Sequence, residues 1–160
     1  MYNTNMLKNK FISFTLFFII TFSASFIGRI VTINLKEPWY STLIKSNFNP
    51  PDWVFGPVWT ILYLMMTFAI WNFWHSKNRD ISTVYIYFIH IIINTTWSIV
   101  FFALHKIFLA MLVLITLIMF IVLLIIRFKP VNLLSYYLMM PYLLWCSYAL
   151  FLNINLVILN

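Results

Sequence analysis

The chain alternates long apolar segments with short polar breaks. Each apolar segment has the roughly 20 residues that a helix, rising about 1.5 Å per residue, needs to cross a bilayer. Five spans are predicted, at residues 11–31, 54–74, 82–104, 107–126 and 132–153. The breaks after the second, third and fourth spans are so short that successive helices must be antiparallel neighbours. The pattern predicts an all-α membrane protein in which residues 1–160 form a single five-helix transmembrane bundle.

Composition supports this prediction. Hydrophobic residues make up 64% of the chain and charged residues only 8%, which no soluble core of this size requires. With so few charges, the net charge of +7 consists mostly of Lys and Arg that flank the spans near anionic lipid. The lipid bilayer, and no nucleic acid, is therefore the expected partner. Cys146 is the single cysteine, so a disulfide within the chain and a Cys-based metal site are both excluded.

The first span follows Lys8 and Lys10, as the core of a secretory signal would. Arg29 comes near its end, however, and no small-x-small cleavage pattern stands clear of it. We expect a retained first helix, with a cleaved signal as the alternative. Ala24 and Gly28 within this span form a small-xxx-small pair that could mediate a helix contact, inside the bundle or in a homodimer.

The distribution of Lys and Arg predicts the orientation. The amino-terminal side of the bundle carries six of them, and the opposite side carries four: Lys8, Lys10, Lys77, Arg79, Arg127 and Lys129, against Arg29, Lys36, Lys45 and Lys106. Because positive charge is enriched on the cytoplasmic side, the N-terminus is expected in the cytoplasm and the C-terminus outside. We expect a multi-pass protein of a bacterial cell membrane.

Acidic residues are scarce. Glu37, Asp52 and Asp80 are the only carboxylates, and all three fall in loops or at helix ends. Ion-coupled carriers usually place Asp, Glu or His inside their spans, where only His90 could serve here. This argues against ion-coupled transport and against hydrolysis by paired carboxylates. The sequence supplies no acid–base pair, metal cluster or glycine-rich phosphate loop, so no catalytic or metal-ligating residue is predicted.

Aromatic and polar residues recur at helical spacing inside three of the spans. The stripes comprise Phe55, Trp59 and Tyr63 in the second span, His90, Asn94, Trp97 and Phe101 in the third, and Trp145, Tyr148, Ala149 and Leu152 in the fifth. His90 and Asn94 are deep enough that they should face the bundle interior, where an interhelical hydrogen bond and a ligand pocket remain open alternatives.

Other residues of the spans have plainer expected roles. Tyr85 and Tyr87 lie near a span end, where Tyr usually belongs to the interfacial aromatic belt. Pro141 lacks the N–H that would bond to the carbonyl of Tyr137, so a kink is expected in the fifth helix. The fourth span is almost wholly aliphatic and is expected to form a lipid-facing wall.

Three separated motifs resemble the translocator protein family, also called tryptophan-rich sensory proteins or peripheral benzodiazepine receptors. The matching residues are Trp39-Tyr40, Leu43, Lys45, Asn49-Pro50-Pro51, Trp53-Val54-Phe55, Trp59 and Leu62-Tyr63, then Asn94-Thr95-Thr96-Trp97 with Phe101-Phe102, then Pro141-Tyr142-Leu143-Leu144-Trp145 with Leu152-Asn153. The likeness covers nearly the whole chain, and all three motifs occur in the expected order.

The resemblance implies a bundle whose first loop, residues 32–53, lids a pocket. Family members bind tetrapyrroles such as protoporphyrin IX and haem, so porphyrin or haem is expected as a ligand, with no resident cofactor. Carried over position by position, the expected ligand-binding residues are Trp39, Phe55, Trp59, Tyr63, Asn94, Trp97, Trp145, Ala149 and Leu152. The propionates of a porphyrin could meet Arg29, Lys36 or Lys45 at the rim.

The chain departs from the family pattern at three informative positions. Ser46 replaces a usual Pro, Phe48 replaces a common Trp, and His90 stands where the family often has an amide. The lid could therefore be looser than in relatives. For His90 we expect a neutral imidazole that is hydrogen-bonded across the bundle, with axial ligation of haem iron as the alternative. The family's C-terminal cholesterol-recognition pattern is missing.

Two functions remain after this comparison. The first is a tetrapyrrole-binding sensor or transporter. The second is an enzyme that degrades porphyrin in light through Trp residues near the pocket, here Trp39 and Trp145, as reported for some bacterial members. A ligand-free membrane scaffold is a weaker third reading. The absence of an acid–base pair ranks the enzyme second.

Overall fold

The computed structural model describes residues 9–160, and Lys8 lies outside this range. All regular structure within the range is helical, and five helices are long and apolar enough to cross a membrane. They are α1 (Lys10–Leu35), α2 (Phe55–Trp74), α3 (Ile81–Ser98), α4 (Ile107–Phe128) and α5 (Leu133–Leu159). The predicted fold class is confirmed: this is a multi-pass, all-α integral membrane protein.

The bundle has two unlike ends. The turn end carries the short connections 75–80 and 129–132, together with the start of α1. The loop end carries the long connection 36–54, in which one helical turn (Trp39–Thr42) and one 3-10 turn (Asp52–Val54) are formed.

The three helices that begin at the turn end share one type of N-cap. The side chains of Asn9, Asp80 and Asn132 accept hydrogen bonds from backbone N–H groups in the first turns of α1, α3 and α5. Such caps satisfy donors that a helix start leaves without partners. Helices α2 and α4, which begin at the loop end, have no side-chain cap.

Two helices run further than their hydropathy predicts. Helix α1 continues past residue 31 to Leu35, and α5 continues past residue 153 to Leu159. Asn34 and Asn155 lie beyond the predicted ends, and the side chain of each bonds within its own helix. The Asn34 amide donates to the carbonyl of Ile30, and the Asn155 amide donates to that of Phe151. A polar residue whose side chain bonds back one turn does not end a helix.

Helix α3 changes its winding near the loop end. It continues as a π-helical segment, Ile99–Ala103, in which the N–H of Leu104 bonds to the carbonyl of Ile99 at 3.0 Å. This wider turn buries both Phe101 and Phe102. The sequence gives no warning of it, because the apolar pattern is the same for either helix type. Inserted π turns are frequent at functional sites.

Two expectations about single elements are wrong. Helix α4 is more than a lipid-facing wall, because Leu117 and Leu124 are buried on one side of it while Met119 and Ile126 are exposed on the other. An aliphatic helix offers no polar stripe to reveal its buried face. Tyr87 does not belong to the interfacial belt. It is fully buried, and its hydroxyl shares a 2.6 Å hydrogen bond with Thr21.

Helix α1 is an integral part of the bundle. Phe17 and Ala24 belong to its buried core, and Thr21 bonds to α3 as just described. At Gly28 a β-carbon would meet Oγ of Ser98 on α3 at only 3.1 Å. The small-xxx-small pair therefore packs α1 against its own bundle.

Candidate functional site

A cavity of about 480 Å³ occupies the loop-end half of the bundle. Ligand sites typically enclose about 300–1,000 Å³, so this volume suits a drug-sized molecule. All five helices contribute to its wall. The lining residues are Ser25, Gly28, Arg29, Thr32, Ile33, Phe55, Gly56, Trp59, Thr60, Tyr63, Asn94, Trp97, Ser98, Phe102, Leu114, Leu117, Trp145 and Ala149.

Three indoles from three helices dominate the wall. Trp59 of α2 lies 5.5 Å from the ring of Tyr63, measured between ring centroids. Trp97 of α3 stacks on Phe101 at 5.1 Å with an interplanar angle of 15°. Trp145 of α5 meets Phe55 edge-on at 5.9 Å. Rings that brace one another in these geometries hold flat faces around an open space.

A chain of hydrogen bonds runs from the cavity wall into the core. The Tyr63 hydroxyl donates to Oδ1 of Asn94 at 2.5 Å, and Nδ2 of Asn94 donates to the Tyr142 hydroxyl at 2.8 Å. Because it accepts from Asn94, the Tyr142 hydroxyl can donate to Nε2 of His90, 3.0 Å away. Nδ1 of His90 then donates to the carbonyl of Tyr87 at 3.3 Å. In this tautomer of His90, with the proton on Nδ1, every side chain of the hydrogen-bonded series has a partner.

His90 is therefore occupied on both ring nitrogens. It is fully buried and does not line the cavity. The predicted hydrogen bond across the bundle is present, from α3 to Tyr142 on α5.

Seven of the nine predicted ligand-binding residues lie around the cavity: Phe55, Trp59, Tyr63, Asn94, Trp97, Trp145 and Ala149. The other two lie elsewhere. Trp39 stacks on His105 at 4.3 Å and meets Phe101 edge-on at 5.4 Å. Leu152 is buried, one turn beyond Ala149, outside the lining. The binding role of all nine stays a prediction.

Helix α1 supplies a part of the wall of which the sequence predicted only Arg29, as a rim residue. Ser25, Gly28, Arg29 and Thr32 line the cavity at spacings of three and four residues. A stripe of small and polar residues in an otherwise apolar span was the available indication. In α4, Leu114 and Leu117 also line the cavity, and no sequence pattern distinguishes them from their aliphatic neighbours.

The three rim cations differ in their surroundings. Lys36 forms an ion pair with Asp52 and lies 3.8 Å from a carboxylate oxygen of Glu37. Lys45 lies 4.3 Å from the ring centroid of Tyr40, whose phenol has a pKa raised mainly by burial. Arg29 is exposed, lines the cavity and has no ion-pair partner among residues 9–160. It is the one charged residue in the described lining.

One buried donor next to the cavity has no partner. Nε1 of Trp145 is inaccessible to solvent and forms no hydrogen bond within the described part of the chain. By contrast, Nε1 of Trp97 donates to Oδ1 of Asn153 at 3.3 Å. An unpaired buried N–H is costly, and since this atom has no accessible surface, it is the face of the indole and not its N–H that borders the cavity.

The long connection lies across the loop end and is tied to α5. The Tyr148 hydroxyl donates to the carbonyl of Phe48 at 2.6 Å. The Asn160 side chain pairs with both backbone groups of Ile44, at 2.9 and 3.1 Å. Of the predicted lid, residues 32–53, only Thr32 and Ile33 line the cavity, and both belong to α1.

These features define a multi-pass membrane protein with an aromatic, ligand-sized cavity inside its bundle. A family model described as the TspO/MBR family matches residues 15–159, and the chain belongs to that family.

Similarity to individual proteins supports this family assignment. The chain is 34% identical to the Tryptophan-rich protein TspO of Chlorobaculum tepidum over 142 residues, which cover 86% of this chain and 89% of that protein. It is 30% identical to the Tryptophan-rich sensory protein of Cereibacter sphaeroides over 143 residues, covering 88% and 90%. With the Translocator protein of Homo sapiens it shares 31% identity over 68 residues, 40% of each chain.

Proposed function

We propose that this protein binds a tetrapyrrole, porphyrin or haem, inside its bundle and acts as a sensor or transporter of it. One observation carries the proposal: indoles of Trp59, Trp97 and Trp145 converge from three helices on one cavity of about 480 Å³. In lipid, Trp has little advantage over Leu as mere apolar filling. A large flat ligand uses the faces of those rings for stacking.

The relatives' names support the same direction. A "sensory" protein and a "translocator" both act on something that they recognise. An occupied cavity provides that recognition, and movement of the ligand through the bundle would make it transport. The relatives' names do not specify a ligand. The choice of tetrapyrrole therefore rests on the shape and chemistry of the cavity and on the family resemblance.

Titration of the detergent-solubilised protein with protoporphyrin IX tests the proposal. Quenching of Trp fluorescence should report a Kd in the low micromolar range or below, about −8 kcal/mol. Replacing Trp59 or Trp145 by Leu keeps apolar bulk but removes the indole, and should weaken binding about tenfold, or about 1.4 kcal/mol.

Trp53→Leu is the matched control, because Trp53 is 75% exposed in the connection and does not line the cavity. It should bind porphyrin like the wild type. Porphyrin fluorescence serves as a second readout that does not depend on the number of Trp residues left. Unchanged affinity in both cavity variants would place the binding site elsewhere, and no binding to any variant would refute the proposal.

Light-driven porphyrin degradation is the second candidate. The unpaired N–H of Trp145 puts one reactive indole beside the cavity. Trp39, the other residue implicated by resemblance, instead stacks on His105 outside it. Illumination of the complex separates the two functions. A binder bleaches porphyrin no faster than free porphyrin bleaches, whereas an enzyme yields a distinct product spectrum that disappears in Trp145→Leu.

We also propose that the turn end faces the cytoplasm, in a bacterial cell membrane. Within the described residues, the turn end carries Lys10, Lys77, Arg79, Arg127 and Lys129. A reporter fused after Asn160 should then be active only outside the cytoplasm. Cytoplasmic activity of that fusion would mean an inverted bundle.

A further inference from the structure

Arg29 occupies an unusual position for a charged residue in this bundle. It lies near the end of α1, is exposed, and lines the cavity together with Thr32 of α1 and Gly56 and Thr60 of α2. The three carboxylates of the chain are elsewhere: Glu37 and Asp52 lie near Lys36, and Asp80 is at the turn end. The guanidinium therefore keeps its full set of donors for whatever occupies the cavity mouth.

The polar groups around the cavity differ in whether they already have hydrogen-bond partners. The acceptor Oδ1 of Asn94 is taken by Tyr63, and the hydroxyls of Thr32 and Thr60 donate to their own helix at Gly28 and Gly56. What remains unpaired within residues 9–160 includes the Arg29 guanidinium, which can only donate, and the hydroxyls of Ser25 and Ser98, which can donate or accept. A cavity with one positive charge and no negative one in its described lining favours a ligand that brings negative charge.

We infer that the cavity selects flat ligands that carry a carboxylate, and that Arg29 recognises this carboxylate at the mouth. The inference rests on the proposed function and adds a charge preference to it. Arg suits the role because its planar guanidinium can hold a carboxylate with two parallel hydrogen bonds. Stacking on the indoles would hold the ring system, and the Arg29 contact would set which edge of the ligand points outward.

Lys36 and Lys45 are poor substitutes for Arg29. Lys36 already forms the ion pair with Asp52, and its ammonium lies 4.8 Å from the ring centroid of Tyr40. Lys45 lies 4.3 Å from the centroid of the same Tyr40 ring, and neither lysine lines the cavity. A carboxylate that reached Lys36 would compete with Asp52, whereas at Arg29 it would displace only water or lipid.

A pair of ligands that differ in charge but not in their ring system tests the inference. Protoporphyrin IX and its dimethyl ester share one ring system, but only the acid presents carboxylates. In neutral detergent at low salt, the wild type should bind the acid roughly fivefold more tightly than the ester, the upper end of what an exposed ion pair contributes. Added salt should shrink this preference, because it screens an exposed charge pair.

Substitution of Arg29 should remove the preference without removing binding. In Arg29→Gln the acid should fall to the affinity of the ester, while ester affinity stays at the wild-type value. Arg29→Lys keeps the charge but loses the two-pronged geometry, so it should retain part of the preference. Lys45→Gln is the control on the same side of the bundle, and it should behave as the wild type with both ligands.

The other outcomes are distinct. Equal affinity of the wild type for acid and ester, or a preference that persists in Arg29→Gln, would overturn the inference and leave porphyrin binding intact. A parallel loss of both ligands in Arg29→Gln would also overturn it, since Arg29 would then support the fold and not the carboxylate. Failure of the wild type to bind either form would refute the proposed function itself.

Discussion

The turn end and the loop end of this bundle are built from the same five helices, yet the turn end is solid and the loop end is hollow around the cavity, beside a smaller packed cluster that includes Phe101 and Phe102. At the turn end Met66, Phe73, Phe128 and Met139 are all completely buried. In the loop-end half, the equivalent interior is the cavity of about 480 Å³. The difference lies in how the side chains pack. At the turn end the rings of Phe73 and Phe128 pack on each other, with 4.9 Å between their centroids, and flexible Met side chains help to fill the interior, whereas the rings of Trp59, Trp97 and Trp145 surround an open space.

Side-chain hydrogen bonds join elements in both halves, as from Trp97 to Asn153 in the loop-end half, but the surroundings of the cavity also include polar groups without partners. At the turn end, side chains join neighbouring helices directly: Ser135 donates to the carbonyl of Ala69 at 2.7 Å, and Asn132 donates to Ser76 at 2.9 Å. Near the cavity, the Trp145 N–H and Arg29 are left without partners within the described chain. The turn end thus supplies stability, and the loop end retains unused capacity for a ligand.

The largest loss of stability is expected from a large-to-small substitution in the solid turn end. Phe73→Ala should lower the free energy of unfolding by about 3–5 kcal/mol, because the packed interior around Phe128 cannot collapse onto the gap. The same change at Phe55, on the same helix but half-buried at the cavity, should cost less than half of that. Thermal or denaturant unfolding in detergent measures both. Equal losses would mean that the two ends are packed alike.

The next effect fills the hollow end. A β-carbon at Gly56 would meet no atom within 4 Å, so Gly56→Leu should fold normally while its side chain takes up ligand space. Porphyrin binding should weaken tenfold or more, at least about 1.4 kcal/mol. Ala69→Leu is the counterpart in the solid end, where overpacking should cost about 1–3 kcal/mol of stability. Normal porphyrin affinity in Gly56→Leu would show that the ligand does not use this cavity.

A smaller effect concerns the caps of the turn end. Asp80 accepts hydrogen bonds from Ser82 and from both the N–H and the hydroxyl of Thr83, and these lower its pKa. Because the folded-state pKa is depressed, the ionised group stabilises the fold above its unfolded-state value of about 3.9, and this contribution is lost as the pH falls through the folded-state pKa.

Asp80→Ala should therefore cost about 1 kcal/mol at neutral pH. The difference from the wild type should narrow when unfolding is measured toward pH 3. Asp80→Asn retains the acceptor oxygen but not the charge, and should show an intermediate, nearly pH-independent loss. A gap between wild type and Asp80→Ala that widened in acid would contradict this account of the cap.

The smallest effect is expected at His90, on the boundary between the two ends. Its two nitrogens bond to Tyr142 and Tyr87, and Gln can still accept from the Tyr142 hydroxyl. His90→Gln should change haem and porphyrin affinity by less than about twofold, or about 0.4 kcal/mol. Titrations followed at the Soret band measure both ligands. Loss of a haem-specific absorption in the variant alone would instead identify His90 as an axial iron ligand.

The sequence predicts the two ends with unequal success. All five spans are found from hydropathy, because a stretch of about 20 apolar residues has one structural solution in lipid. The aromatic stripes of α2, α3 and α5 indicate which faces turn inward at the cavity. The buried face of α4 could not be read, since its residues are aliphatic all round. The π-helical turn at Ile99–Ala103 and the path of the loop around Trp39 depend on tertiary contacts that no periodicity encodes.

The close approach of Gly28 to Ser98 determines how the width of the cavity can change. Both residues line the cavity, and a single β-carbon at residue 28 would crowd the Ser98 hydroxyl at 3.1 Å. The spacing between α1 and α3 is thus set by one of the smallest possible side chains. A larger side chain at residue 28, or a smaller one at residue 98, changes the width of the cavity by about the size of a methyl group. Selectivity for ligand thickness can then diverge among descendants of this chain while every indole stays in place.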